Sequence, residues 1–140
     1  LARCMASYRN FLFFDKEQEP AFAELRRAVD TFAQKQGRLV SVMADDHRLR
    51  LQFEPEVYAF YFAICAEPWV REESDDLARS MQRHPQAAQL AGKTWRVEFY
   101  GDDDTGMDFF NDFFALMESI STLPGCVVYD YVNGQFFGET

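Results

Sequence analysis

The segment 57–66, VYAFYFAICA, consists entirely of apolar and aromatic residues. A strand that faces water on one side alternates apolar and polar side chains, whereas a strand covered on both faces does not alternate. The segment therefore predicts a central strand that is either covered on both sides or paired within an interface. A buried helix is the alternative, but the β-branched and aromatic content favours a strand.

A hairpin is predicted immediately before this central strand. Residues 39–43 have the sequence LVSVM, and residues 48–53 have the sequence RLRLQF, which places Leu49, Leu51 and Phe53 on one face. The segment between the two contains the turn-like sequence ADDH,. We therefore expect two antiparallel strands, of which the second is half-buried.

Hairpins mixed with amphipathic helices set the expected fold class. Helical spacing predicts three helices, which begin near Pro20, Trp69 and Met107 and end near Gly37, Arg83 and Leu123,. The apolar residues at helical spacing in the first of them are Phe22, Leu25, Val29 and Phe32,. Further strands are predicted over residues 8–14, 93–100, 127–132 and 135–138. The order β-α-β-β-β-α-β-α-β-β predicts an α+β fold in which about three helices pack on a mostly antiparallel sheet.

Two local patterns give finer expectations. In the strand 93–100, the alternation predicts that Arg96 and Glu98 point outward, away from the apolar side chains,.

Thr105 with Asp108 resembles a capping box, in which two side chains satisfy the first backbone N–H groups of a helix,. We therefore expect the third helix to begin at this pair.

Aromatic content indicates that the chain can fill a core. Its 140 residues include 15 phenylalanines, and hydrophobic residues make up 48% of the sequence. This length is typical of one domain, so residues 1–140 are expected to form a single domain. Met5 has the position of a natural initiator, and residues 1–4 are then expected to be foreign to the natural chain. No run of about 18 apolar residues is present, so no membrane-spanning helix is expected.

The net charge of the chain limits which classes of binding partner are expected. The chain has 14 basic and 23 acidic residues, which give a formal net charge of -9. Nucleic acids and anionic membranes are bound by clusters of Lys and Arg, and no basic stripe is present, so neither is expected as a partner. A basic protein surface is compatible with this charge. The alternative is that the acidity only keeps a Phe-rich domain in solution.

Two acidic clusters and one tryptophan are the candidate partner-binding residues. Each cluster lies at the predicted start of a helix, where carboxylates also interact favourably with the helix dipole. An exposed tryptophan would add an apolar anchor, since aromatic anchors contribute strongly to binding at interfaces. The candidate contacts are Glu72, Glu73, Asp75, Asp76, Asp102, Asp103, Asp104 and Trp69.

No constellation of residues indicates catalysis. His47 lies in an acidic turn without a nucleophile near it in sequence, and His84 lies at a predicted helix end, which suits a structural role,. Cys65 and Cys126 lie in apolar runs, which raise the pKa of a thiol, so they are expected to be core residues,. The loop 102–104 lacks the ligand spacing of a calcium loop. No catalytic residue, metal or cofactor is therefore expected.

The cysteine pattern also bears on the compartment. The three cysteines are widely spaced, are odd in number and include no CxxC pair. A disulfide framework or a zinc site is therefore not expected, and a reducing compartment fits best. We expect a cytoplasmic protein.

The Phe-rich third helix leaves a second function class open. Its phenylalanines either form the main core contact with the sheet or line a pocket for an apolar ligand. The second case would give a small-molecule-binding domain, or an enzyme with a diffuse site, between the sheet and this helix. A deep pocket with convergent polar groups would favour that alternative.

The C-terminal third combines a Phe- and Leu-rich helix with a closing hairpin. LPG at 123–125 follows the helix, CVVYD at 126–130 leads into the strand predicted over 127–132, and Asn133-Gly134 is typical of a two-residue turn,. With Tyr129-Asp130 and this turn, the segment resembles small bacterial immunity proteins that neutralise cognate toxins.

The resemblance implies a binding protein rather than an enzyme. Immunity proteins of this type are often acidic and bind a toxin at its active site or on a nearby surface. The implied partner is a toxin with a basic or anionic-substrate-binding site, which the acidic clusters would occlude. The assignment of those clusters as contacts rests on charge, because no family motif maps onto them.

Overall fold

A computed structural model describes residues 7–37 and 40–138 of the chain. Within them, strands and helices follow one another in the predicted order. The strands are β1 (Arg9–Phe14), β2 (Val40–Ala44), β3 (Arg48–Phe53), β4 (Tyr58–Cys65), β5 (Arg96–Gly101), β6 (Cys126–Asp130) and β7 (Gln135–Phe136). The helices are α1 (Gln18–Gln34), α2 (Val70–Ser80) and α3 (Phe110–Ser121), with a 3-10 helix over Pro85–Leu90. The prediction for residues 1–4 lies outside the described residues.

The strands form one sheet in the order β2-β3-β4-β5-β1-β6-β7. Every ladder is antiparallel. The strands β2 to β5 lie in chain order, and β1 is inserted between β5 and β6. The predicted α+β class with a mostly antiparallel sheet is therefore confirmed.

One face of the sheet, which we call the helical face, is covered by α1 and α3. The spacing predicted for α1 is confirmed, because its apolar stripe is buried: Phe22, Leu25, Val29 and Phe32. The stripe of α3 is buried beside it: Phe113, Leu116, Met117 and Ile120. Alternate strand residues such as Leu12, Leu51 and Phe99 pack against both helices. This face holds the main core.

The opposite face of the sheet is covered over only part of its width. Side chains of α2 and the 3-10 helix pack there against residues of β1, β6 and β7, namely Phe11, Phe13, Val127, Tyr129 and Phe136. Among the described residues, none from β2, β3 or β4 belongs to this second cluster. We call the remaining part of this face the open half. It is formed by β2, β3, β4 and the end of β5 that contains Tyr100.

The two faces of the central strand β4 differ in burial. Tyr58, Phe60 and Phe62 are buried on the helical face, whereas on the opposite face Ala59 is buried and Tyr61 and Ala63 are half-buried. The prediction of a strand is confirmed, and the alternative of a buried helix is wrong. Of the two environments predicted for this segment, cover on both sides is wrong, because α2 packs over other strands.

The start of α3 differs from the prediction. The helix begins at Phe110, and Met107 has a positive φ of 56°, which interrupts helical geometry at the predicted start. The predicted capping box of Thr105 and Asp108 is wrong. The carboxylate of Asp104 instead accepts hydrogen bonds from the N–H groups of Asp108 and Phe109, both at 2.9 Å.

The last hairpin has a longer turn than the predicted two residues. Asp130 pairs with Gln135, so residues 131–134 form the turn. The carboxylate of Asp130 accepts hydrogen bonds from the N–H of Asn133 at 3.0 Å and from its side-chain amide at 2.8 Å. Gly134 completes the turn with a positive φ of 65°, a conformation that favours glycine,.

Candidate functional site

The acidic cluster at the start of α2 is largely engaged within the protein. Glu73 pairs with a buried arginine of β5, with 2.5 Å between Oε1 and Nη1. Asp75 accepts the backbone N–H of Gly92 at 2.7 Å, and Asp76 forms an ion pair with an arginine one turn later in the helix. Glu72 and Asp76 are exposed. Of the four predicted contacts on α2, these two present most of their surface to solvent.

The acidic loop 102–104 supports the fold at two of its three positions. Asp104 is only 6% exposed, and its carboxylate accepts a 2.5 Å hydrogen bond from the Tyr8 hydroxyl in addition to the two N–H groups at the start of α3. The carboxylate of Asp102 accepts the N–H of Ala59 at 2.9 Å. Asp103 is exposed. The loop therefore offers one fully exposed carboxylate to a partner.

Trp69 and Arg96 join the start of α2 to the sheet. Alternation places Arg96 on the face opposite the main core, as predicted. The side chain is nevertheless only 1% exposed, because α2 covers it. Its guanidinium lies 3.7 Å from the centroid of Phe11 and 5.5 Å from that of Trp69, and it pairs with Glu73 and with Glu98 at 2.6 Å. Trp69 remains 50% exposed at the margin of the open half.

A row of mostly arginine and tyrosine side chains crosses the open half of the sheet and continues beyond it onto β1. Strand pairing places each residue directly beside the next on the same face, and the row continues past β1 where Tyr131 donates its backbone N–H to the carbonyl of Arg9. In order across the sheet, the residues are Met43, Arg50, Tyr61, Tyr100, Arg9 and Tyr131. We call these six residues the Arg–Tyr row.

Contacts within the Arg–Tyr row limit the orientations of its side chains. The rings of Tyr61 and Tyr100 stack with 4.9 Å between centroids and 19° between planes. The guanidinium of Arg50 lies 5.9 Å from the Tyr61 ring, and that of Arg9 lies 4.8 Å from the Tyr131 ring. Cross-strand aromatic and cation–π contacts of this kind each contribute about 0.2–1 kcal/mol. These contacts therefore restrict the side chains of the arginines and tyrosines of the row in the absence of a partner.

The Arg–Tyr row is also accessible. Tyr100 and Tyr131 are 43% and 49% exposed, and Met43 at the β2 end is 48% exposed. Tyrosine, arginine and methionine are enriched at protein interfaces relative to other surface, and tyrosine and arginine are frequent among residues that dominate binding energy. The composition and exposure of the row are those of an interface rather than of an ordinary solvated strand face.

A shallow groove of about 410 Å³ lies at the β2 end of the row. Met43, Arg50, Tyr61 and Tyr100 line it together with Arg48 and Asp45. Backbone hydrogen bonds from residues 47 and 48 hold the pKa of Asp45 below its usual range. The groove thus presents two guanidinium groups and one carboxylate beside stacked rings.

The two histidines make contacts that support the fold. His47 lies in the exposed β2–β3 turn, and its backbone N–H donates to Asp45 at 2.8 Å. The ring of His84 packs 5.6 Å from that of Phe136, ahead of the 3-10 helix. Over residues 7–37 and 40–138, no group of three or more His, Cys, Asp or Glu side chains is arranged to hold a metal ion.

The two described cysteines are poor nucleophiles. Burial raises the pKa of the Cys126 thiol to about 12, and Cys126 packs against the main core as expected. Burial also raises the pKa of Cys65. Cys65 is half-buried at the end of β4 and belongs to neither core cluster, so its predicted place in the core is wrong. Both thiols are neutral at physiological pH.

The space between α3 and the sheet is filled by the core. Phe113 stacks on Tyr8 with 4.4 Å between ring centroids, and the other inward residues of α3 are buried. Phe110 and Phe114 lie on the outer side of the helix and are exposed. The described part of the chain therefore places core side chains where the alternative function would require a ligand.

No protein-family model matches the chain, and no curated protein sequence or solved structure matches it. Within the described residues, no helix has the length and apolar character needed to cross a membrane.

Proposed function

We propose that this chain is a protein-binding protein that docks its partner on the open half of the sheet through the Arg–Tyr row. The observation that carries the proposal is the in-register succession of tyrosines and arginines on a part of the sheet that the protein's own helices leave uncovered. Tyr100 and Tyr131 are exposed there, and Tyr61 and Arg50 are half-buried beside them. A sheet face of this composition is suited to bury aromatic anchors against a complementary surface.

Order within the row favours affinity. A flexible arginine or tyrosine loses rotamer freedom when it is immobilised at an interface, at about 0.5–1.5 kcal/mol per side chain. In this chain, the Tyr61–Tyr100 stack and the arginines beside it already restrict those rotamers. Less conformational entropy is then lost on binding, so more of the contact energy stabilises the complex.

The exposed carboxylates play a separate part in this proposal. Glu72, Asp76 and Asp103 remain exposed, and the whole chain carries a net charge of -9. Long-range attraction would draw a basic partner toward the protein and raise the association rate. The Arg–Tyr row would then supply the close contacts that set the dissociation rate.

The specific form of the proposal is an immunity protein that acts in the cytoplasm against a bacterial toxin. It is supported by the resemblance of the C-terminal segment. Tyr129 and Asp130, which carry that resemblance, are buried, and Asp130 caps the turn. These residues maintain the hairpin, so the toxin contacts are assigned to the row and not to them.

Co-expression with the proteins encoded by neighbouring genes tests the proposal. A complex should appear in size-exclusion chromatography with light scattering, and Tyr61→Ala and Arg50→Ala should each weaken it at least about tenfold. Arg27→Ala, on the exposed side of α1, is the matched control and should bind like wild type. In cells that produce the toxin, the row variants should protect less than the control.

Two results would contradict this assignment. If none of the neighbouring products binds, the immunity function fails. If a complex forms that Tyr61→Ala and Arg50→Ala leave intact, while neutral substitutions at Glu72, Asp76 and Asp103 abolish it, the acidic clusters are the interface and the row is not.

A further inference from the structure

A second groove, of about 290 Å³, lies at the β7 edge of the sheet between the outer side of α3 and the last hairpin. Its lining includes the rings of Phe110, Phe114 and Phe137 and the polar side chains of Glu118, Asp130 and Asn133. This groove is separate from the Arg–Tyr row, which lies on the other face of the sheet.

The aromatic wall of this groove is partly open to solvent. Phe114 lies 5.6 Å from Phe137 and 6.2 Å from Phe110, measured between ring centroids. Phe110 and Phe114 are 38% and 45% exposed. The face of an aromatic ring carries partial negative charge, so a wall of rings attracts cations.

Asp130 adds a buried carboxylate to the groove. It is 3% exposed, and the hydrogen bonds that it accepts come from Asn133. It forms no ion pair with any other described residue, although a carboxylate out of water is normally stabilised by a cation. Each of its oxygens retains a free lone pair.

Asn10 lies beside Asp130 with its hydrogen-bonding groups unused. It is fully buried, and neither its side-chain oxygen nor its side-chain nitrogen has a hydrogen-bond partner. The two residues are directly opposite each other in the β1–β6 ladder. Opposite residues of antiparallel strands have Cβ atoms about 4.5–5.5 Å apart on the same face. Two buried polar side chains that can still form hydrogen bonds therefore lie next to each other, and one of them, Asp130, lines the groove.

The charges around the groove are of one sign. Glu118 at the exposed outer side of α3 and buried Asp130 are both acidic, and no Lys or Arg among the described residues lines the groove. An anionic ligand would meet two carboxylates and the negative faces of the rings. A cation would be attracted by all of them.

We infer that this groove binds an organic cation, an alkylammonium or guanidinium group. The rings surround its apolar or delocalised part, and the carboxylates of Asp130 and Glu118 balance its charge. The volume lies near the lower end of small-molecule sites, which suits a single side chain or a small free cation. The cation could come from either source, a free small molecule or an arginine or lysine side chain of another protein.

Titration of the full chain with defined cations, followed by amide NMR spectra, tests the inference. The probes are choline chloride, arginine amide and the peptide Gly-Gly-Arg-Gly-Gly-amide, with sodium chloride and sodium glutamate at the same ionic strength as controls. Saturable shifts confined to residues 110–118 and 130–138 are expected with the cations and not with the controls. Stronger binding of the small probes indicates a free ligand, and stronger binding of the peptide indicates a protein side chain.

Variants at exposed positions keep the test independent of folding. Glu118→Gln and Phe114→Ala should each weaken cation binding about threefold to tenfold. Glu19→Gln, which changes an exposed carboxylate on α1, should leave it unchanged. The inference is overturned if no probe gives saturable shifts at about 100 mM, if sodium chloride gives the same shifts, or if both variants bind like wild type.

Discussion

The guanidinium carbon of Arg96 lies 3.7 Å from the centroid of the Phe11 ring, at the point where α2 closes over the sheet. Glu73 of α2 and Glu98 of β5 complete its surroundings. On one side of this contact the sheet is covered by α2, and on the other side the open half begins. The boundary between the covered and open parts of this face therefore coincides with one buried cation.

Replacement of Arg96 should destabilise the fold strongly. Arg96→Ala removes the cation from two carboxylates and leaves space above Phe11, so we expect the free energy of unfolding to fall by about 2–4 kcal/mol in urea denaturation. Arg96→Met retains contact with the ring and should lose less. Arg50→Ala, on the open half, is the matched control and should change the value by less than about 1 kcal/mol. Equal losses for Arg96→Ala and Arg50→Ala would contradict the assigned role of Arg96.

The sequence allowed the elements and their order to be predicted because hydrophobic periodicity is local. β3 was predicted at its observed bounds, and the face of α1 was predicted residue by residue. The position of β1 between β5 and β6 and the placement of α2 depend on contacts between distant segments. For that reason the outward direction of Arg96 could be predicted, but its burial under α2 could not. Periodicity assigns a face to a side chain, but it does not show whether a helix covers that face.

The Arg–Tyr row was missed for a related reason. Arg50 occupies an outward position of an alternating strand, which is an ordinary place for a solvated side chain. Its neighbours Tyr61 and Tyr100 come from other strands, and only register brings the three together. The available signal was the lack of alternation in 57–66, which already indicated that β4 is covered on both sides or paired within an interface.

Adjacent residues of β5 should differ sharply in their effect on stability. Phe99 is fully buried on the helical face, whereas Tyr100 is 43% exposed on the open half. Phe99→Ala should lower the free energy of unfolding by about 3–5 kcal/mol through the cavity that it leaves. Tyr100→Ala loses one stacked ring and should lower it by about 1 kcal/mol or less. Chemical denaturation of both variants checks the expectation, and a larger loss for Tyr100→Ala would place that ring in the core.

Gly125 should not tolerate a side chain. Its φ is +72°, and a Cβ atom added there would lie 1.9 Å from an oxygen of Asp15. Gly125→Ala should therefore lower the free energy of unfolding by about 1–2 kcal/mol, mainly through backbone strain, because the exposed Asp15 side chain can move away from the added methyl group. Gly37→Ala is the matched control, because no atom lies within 4 Å of the added Cβ. Similar melting temperatures for the two variants would show that the turn after α3 is built differently.

The two described thiols should react at different rates. Burial raises the pKa of both, to about 12 for Cys126, which is packed against the main core. Cys65 lies at the open half, where opening of the core is not needed for access. Iodoacetamide labelling followed by peptide mass spectrometry should modify Cys65 first, and labelling of Cys126 should accelerate in urea. Faster modification of Cys126 in the native protein would contradict its packing against the main core.

Stability should decrease at alkaline pH because two tyrosines are held neutral in the native state. Burial raises the pKa of Tyr8, and the hydrogen bond to Asp104 raises it further. Burial likewise raises the pKa of Tyr58, whose hydroxyl donates to the carbonyl of Asp102 at 2.7 Å. The unfolded chain loses these protons near pH 10, whereas the native protein retains them.

The sign of the pH dependence follows from the protons bound. Above about pH 10 the native state binds more protons than the unfolded state, so the free energy of unfolding falls as pH rises, by up to about 1.4 kcal/mol per pH unit for each tyrosine. Below about pH 10 both states keep these protons, so the stabilisation that the two tyrosines contribute is fully present there.

Tyr8→Phe should lower the free energy of unfolding at neutral pH, because the Asp104 hydrogen bond is lost. It should also make the decrease of that free energy with rising pH less steep. Phe113→Leu, which destabilises the same core without removing a phenol, should keep the wild-type slope. Urea denaturation between about pH 7 and 11 measures both quantities, and equal slopes for Tyr8→Phe and wild type would show that Tyr8 ionises alike in both states.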